Sequence, residues 1–132
     1  MNEIIDKNQT PIITCELWID YNGVIERSEI PVEDVPILKK MREVKPHIWK
    51  IHSGRCRCWD TEICISDFLE TNKEIFEHYT TRCKVEKKLA LSLSVEIRFG
   101  NTVPGICLSS HTIKLLDSVC ADIDFDIYPG VL

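Results

Sequence analysis

Between Leu89 and Phe99 the chain alternates without a miss. Leu89, Leu91, Leu93, Val95, Ile97 and Phe99 are apolar, while Ala90, Ser92, Ser94, Glu96 and Arg98 are small or polar. A period of two predicts a strand with one buried face and one face toward water or a partner. Ile12 to Tyr21 repeats the pattern, with Ile13, Cys15, Leu17, Ile19 and Tyr21 on one side and Thr14, Glu16, Trp18 and Asp20 on the other. Asp122 to Tyr128 closes the chain with Ile123, Phe125 and Ile127 inward and Asp122, Asp124 and Asp126 outward. Asn22-Gly23 after the first strand is a hairpin signal, because a type I′ turn needs positive φ at both central residues. It predicts a return strand from about Val24 to Ile30, which would set Trp18 opposite Arg27 as a cation–π pair.

A period near 3.6 marks the helices. Ile65, Phe68, Leu69, Asn72, Ile75, Phe76 and Tyr79 recur at three-four spacing and predict a helix over Asp67–Thr80 with Ser66 as N-cap. A second helix starts at Ser109 or Ser110, with Leu108 able to staple onto Ile113, and Leu116, Val119 and Cys120 continuing the stripe. Asp34 is placed to cap a short helix through Pro36, Ile37, Leu38 and Met41, with proline in the first turn. Ile48 to Ile51 reads as a short strand and Ser53-Gly54 as a turn, while Arg55 to Glu62 reads equally as a strand or an irregular connection. The sum is one α+β domain over residues 1–132. Its sheet is mostly antiparallel, two main helices pack on one face, and the C-terminal half is ferredoxin-like. Residues 1–10 are polar and read as a ragged end.

Charge narrows the function classes. The 132 residues hold 16 Lys+Arg against 21 Asp+Glu, a net charge of −5, with a pI near 5.4. Nucleic acid is disfavoured as a partner, since it calls for a net basic surface. The chain opens without a basic segment leading into an apolar run, and no stretch is apolar enough to span a bilayer, so the cytoplasm is the expected compartment. There the seven cysteines are expected to act mainly as small hydrophobes.

The candidate chemistries each face a plainer reading. His52, Cys56, Cys58 and Cys64 form a His-x3-Cys-x-Cys-x5-Cys cluster for zinc or thiol chemistry, but no Cys-x-x-Cys pair is present, and reduced thiols in a Cys-rich segment account for it. Cys107 precedes a helix start, where a thiolate would be stabilised, yet no nucleophile signature surrounds it. Asp122, Asp124 and Asp126 lack the Gly and Glu of a calcium loop and read as a solvated strand face, or as one turned to a basic partner. Phosphate-loop, G-x-S-x-G and H-E-x-x-H patterns are absent. No catalytic residue, metal or cofactor is therefore assigned.

Leu108-Ser109, Leu115-Leu116 and Asp124-Phe125-Asp126-Ile127-Tyr128, with Trp49, Ser53 and Phe68-Leu69 in the middle, carry a resemblance. From Ile48 onward the chain resembles a bacterial family of uncharacterised domains, domain-of-unknown-function family 4279. The N-terminal third departs from the family pattern of a helix and an apolar-Pro motif after the first strand. Cys120-Ala121 stands where the family usually has a glycine. The resemblance implies an α+β fold and supplies no activity or catalytic residue. Small acidic bacterial domains of this kind serve by analogy as immunity proteins beside polymorphic toxins, including those of contact-dependent growth inhibition.

Charge is unevenly spread. Glu16 to Asp34 holds six acids and one base, whereas Pro36 to Asp60 holds seven bases and two acids. The expectation is a non-catalytic, cytoplasmic immunity protein that occludes a basic toxin domain through Asp20, Glu26, Glu29, Glu33 and Asp34. A zinc- or thiol-dependent protein built on the cysteine cluster is the alternative. An oligomerising subunit using the small-residue face of Leu89–Phe99 is a third reading.

Overall fold

The structure is a computed structural model that describes residues 9–22, 27–80, 82 and 89–130. In chain order it contains β1 (Ile12–Tyr21), α1 (Val35–Leu38), β2 (Arg42–Lys45), β3 (Ile48–His52), β4 (Cys56–Arg57), α2 (Thr61–Thr71), α3 (Lys73–Tyr79), β5 (Leu89–Phe99), α4 (Ser110–Ser118) and β6 (Asp122–Pro129). The fold is α+β. Its mixed sheet runs β2-β3-β1-β5-β6, with β4 pairing the start of β1. All pairings are antiparallel except β5 with β6.

The period-two strands take the central positions. β1 and β5 pair over ten residues, from Ile12↔Arg98 to Tyr21↔Leu89. Their odd-numbered residues Ile13, Leu17, Ile19, Leu93, Val95 and Ile97 are completely buried. Onto that face pack Ile65, Phe68 and Leu69 of α2, Ile75, Phe76 and Tyr79 of α3, and Leu116 of α4. The helices thus cover one face of the sheet, and the even-numbered face is left open. Ile123 and Phe125 of β6 pack against the core, but Ile127 is 40% exposed because β6 is the sheet edge.

The expected hairpin does not form as read. Residues 23–26 lie outside the described residues, and Arg27–Glu29 is a 3-10 turn rather than strand. Both edges of β1 are already taken, by β5 on one side and by β3 and β4 on the other. Trp18 is flanked by Lys50 and Ser92, and it is the Lys50 ammonium that lies 5.0 Å from its ring centroid. The hairpin that does form is β2–β3, whose first strand had no period to announce it.

The middle helix begins six residues earlier than expected. Asp60 caps α2, its carboxylate accepting from Ile63 N–H at 3.1 Å, and Ser66 lies inside the helix with its hydroxyl on Ile63 O. Asn72 breaks the run into α2 and α3, its side-chain amide donating to Phe68 O at 2.9 Å. The last helix is capped by Ser109, which accepts from Thr112 N–H, while Ile113 is 53% exposed and takes no part in a staple. That helix ends in a Schellman motif: Ala121 N–H reaches Leu116 O and Cys120 N–H reaches Asp117 O, each at 3.0 Å. Cys120 accordingly sits at φ +53°, a left-handed conformation that favours glycine.

Candidate functional site

The open face of the sheet is built by the register. Five cross-strand rows run over it, the one at the end being Lys45, Ile48, Asp20 and Ala90. Arg42, Lys50, Trp18, Ser92 and Asp122 form one, and His52, Glu16, Ser94 and Asp124 form the next. Thr14, Glu96 and Asp126 form a third, and Ile12, Arg98 and Tyr128 a fourth. Positive charge therefore lies toward β2 and β3, and negative charge toward β6.

Most charges inside the sheet are matched. Lys50 Nζ is 3.5 Å from Glu16 and also stacks on Trp18. Arg98 Nε donates to Glu96 at 2.9 Å, and its guanidinium lies 4.3 Å from the Tyr128 ring centroid. The Glu96 carboxyl is held below its usual range, first by the Tyr128 hydroxyl and then, against a burial penalty, by Arg98. Asp122, Asp124 and Asp126 differ. All three are exposed, and no hydrogen bond or ion pair reaches their side chains among the described residues. They stand on one side of an edge strand at every second residue, roughly 7 Å apart along the chain. The acidic charge left without an ion pair at the β6 edge thus lies across the sheet from the exposed Arg42 at the opposite, β2 edge.

Of the five acids expected to form one patch, the described residues include four, and one of these is buried. Asp20 is half-buried on the open face of β1, and Glu29 and Glu33 are exposed on the 3-10 turns Arg27–Glu29 and Val32–Asp34. Glu26 lies outside the described residues. Asp34 is a correction: it is completely buried and cannot meet a partner. Its side chain does not cap α1 either. It accepts from Tyr21 Oη at 2.7 Å, from His78 Nε2 at 2.7 Å and from the Arg82 guanidinium. Tyr79 Oη completes the network at 2.6 Å from Tyr21 Oη, donating to it because the Tyr21 proton is committed to Asp34. Burial alone would raise the Asp34 pKa. Hydrogen bonds from Arg82, Tyr21 and His78, and the guanidinium charge, outweigh it and hold the carboxyl below its ordinary value. Burial, then the bonds to Asp34 and Tyr79, push the Tyr21 hydroxyl far up.

The cysteine cluster is assembled between β4 and the start of α2. Cys56 Sγ and Cys64 Sγ are 3.2 Å apart. Cys58 Sγ accepts from Asp60 N–H at 3.3 Å. Burial pushes the Cys15 thiol up to about 12, with the charge of Cys56 adding to it. Burial, then hydrogen bonds with Cys56 and Cys58, push Cys64 up further. His52 turns Nδ1 to Gly54 N–H at 3.1 Å. No group of three His, Cys, Asp or Glu among the described residues is arranged to hold a metal ion.

The family described as Domain of unknown function (DUF4279) matches residues 28–130. The chain belongs to the DUF4279 family. No curated protein and no solved structure matches it. The DUF4279 span runs from the 3-10 turn after β1 to the residue beyond β6, so it takes in the thiol cluster, Asp34 with its partners His78 and Arg82, and the acidic edge together. It leaves out β1, the strand at the centre of the sheet. Sequence reading weighed the β6 acids as a solvated face and favoured the acids near β1. The signal that separates them is alternation: an acid at every second position of a strand holds one face, whereas acids in a Pro-rich segment have no fixed side.

Proposed function

We propose that this chain is a non-catalytic cytoplasmic binding protein, an immunity protein that neutralises a basic bacterial toxin domain by occluding it. The observation that carries the reading is the row Asp122, Asp124 and Asp126, exposed and without an ion pair on the β6 edge strand, while Glu16 and Glu96 further inside the sheet are paired. Three like charges on one face repel one another, and a basic surface brought against them relieves that repulsion while steering encounter. Among the described residues no helix is long and apolar enough to cross a membrane.

Co-purification from the native locus with the neighbouring open reading frames is the test. A stoichiometric partner with a basic, growth-inhibiting domain is expected. In that complex Asp124→Lys with Asp126→Lys should weaken binding by at least about tenfold, mainly through a slower association rate that falls with salt. Unchanged affinity would move the interface off the β6 edge, and recovery of the chain alone would remove the binding reading.

A further inference from the structure

We propose that Cys56 and Cys64 are a reversible disulfide site that ties the short strand β4 to the second turn of α2 when the protein meets a hydroperoxide. The inference does not rest on the partner reading above. Three observations carry it. The two sulfurs are already 3.2 Å apart, so a bond needs only about 1 Å of further approach. Cys56 is exposed and Cys64 is buried, which separates an accessible first thiol from a sheltered second one. Both line a cleft of about 420 Å³ between β3, β4 and α2, with Cys58, His52, Phe68 and Asn72 around it.

The chemistry balances within this arrangement. The Cys56 sulfur, as thiolate, attacks one oxygen of the hydroperoxide. The O–O bond breaks, the other oxygen leaves as alcohol or water, and Cys56 becomes a sulfenic acid. Cys64 sulfur then attacks the Cys56 sulfur. The S–S bond forms, the S–O bond breaks, and the departing hydroxide takes the Cys64 proton as water. Two thiols and one hydroperoxide give one disulfide, one alcohol and one water, and two electrons pass from sulfur to oxygen. Cys64 stays protonated until that step, which fits a sheltered thiol whose hydrogen bond points to its partner. Cys58 also hydrogen-bonds Cys64, but its thiol is engaged by the backbone of Asp60, accepting from its N–H and donating to its carbonyl, so Cys56 is the partner assigned and Cys58 the competitor to be tested. Cys107 and Cys120 are exposed with no thiol hydrogen-bonded to them among the described residues, and they serve as internal controls.

The experiment treats the reduced full chain with one equivalent of hydrogen peroxide, blocks remaining thiols by alkylation, and maps peptides without reduction. The expected result is a Cys56–Cys64 cross-link, loss of alkylation at both positions, alkylation retained at Cys107 and Cys120, and reversal by dithiothreitol. Cys56→Ser, at an exposed position, should abolish the link, and Cys58→Ser should leave it intact. In Cys64→Ser the Cys56 sulfenic acid should persist and be trapped by dimedone. A link through Cys58 or Cys15 would overturn the assignment. So would a link-free product in which Cys56 runs on to sulfinic acid while Cys64 is still alkylated.

Discussion

Asp34 is completely buried, and side chains from distant parts of the chain hold its carboxylate. An Asp two residues before a proline, at the head of an apolar run, is a good helix cap by local rules. Here the carboxylate is instead drawn inward by Tyr21, His78 and Arg82, which are 13, 44 and 48 residues away in the sequence. No local window contains that information. The network pins the segment that follows β1 to the C-terminal end of α3, and it is a buried charge satisfied on every side. Removing one member of such a set leaves the others desolvated and short of a partner. Asp34→Ala should cost about 3 kcal/mol in urea unfolding at neutral pH. The folded-state pKa of Asp34 is lowered. Its contribution is therefore fully present above the unfolded value near 4 and is lost as pH falls through the folded value. Asp34→Asn should flatten the acid limb of the stability curve below about pH 4. An unchanged acid limb would show that the carboxyl is not the group being titrated.

Elements were legible where a period stood out and illegible where pairing decided. β5 has the bounds its alternation predicted, and β1 and the start of β6 agree as well. The Asn22-Gly23 signal failed because β1 found better partners at long range: β5 fills one edge and β3 and β4 the other. Of the candidate site, Asp122, Asp124 and Asp126 were visible as a row. That they stand unpaired while Glu16 and Glu96 are neutralised depends on Lys50–Glu16 and Arg98–Glu96 pairing elsewhere on the sheet, which only the register reveals. The end of α4 offers a test at this scale. Cys120 occupies the left-handed position of a Schellman motif, where a side chain is strained and a glycine is not. Cys120→Gly should raise stability by about 0.5–1 kcal/mol without moving α4 or β6. A loss of stability would mean that the thiol makes a contribution larger than the strain it causes.

At the scale of the whole molecule, the fold class followed from the mixture of periods, but the order of strands did not, because nothing in a strand's own residues names its neighbour. The order has a consequence in time. β1 precedes the other strands of the described sheet and lies at its centre, and its longest pairing is with β5. Phe99 is synthesised 78 residues after Tyr21, a wait of about 4–16 s at ~5–20 residues per second. Throughout it, a ten-residue strand with one apolar face has at most the short β3 and β4 to lean on. Chains arrested on the ribosome before Leu89 should leave β1 open to protease, with protection appearing only once Phe99 has cleared the exit tunnel. Early protection would show that β1 with β3 folds alone. The growing polypeptide thus carries an unpaired strand while the next 78 residues are made, and a chaperone that holds β1 over that interval would serve this protein more than one acting on the completed chain.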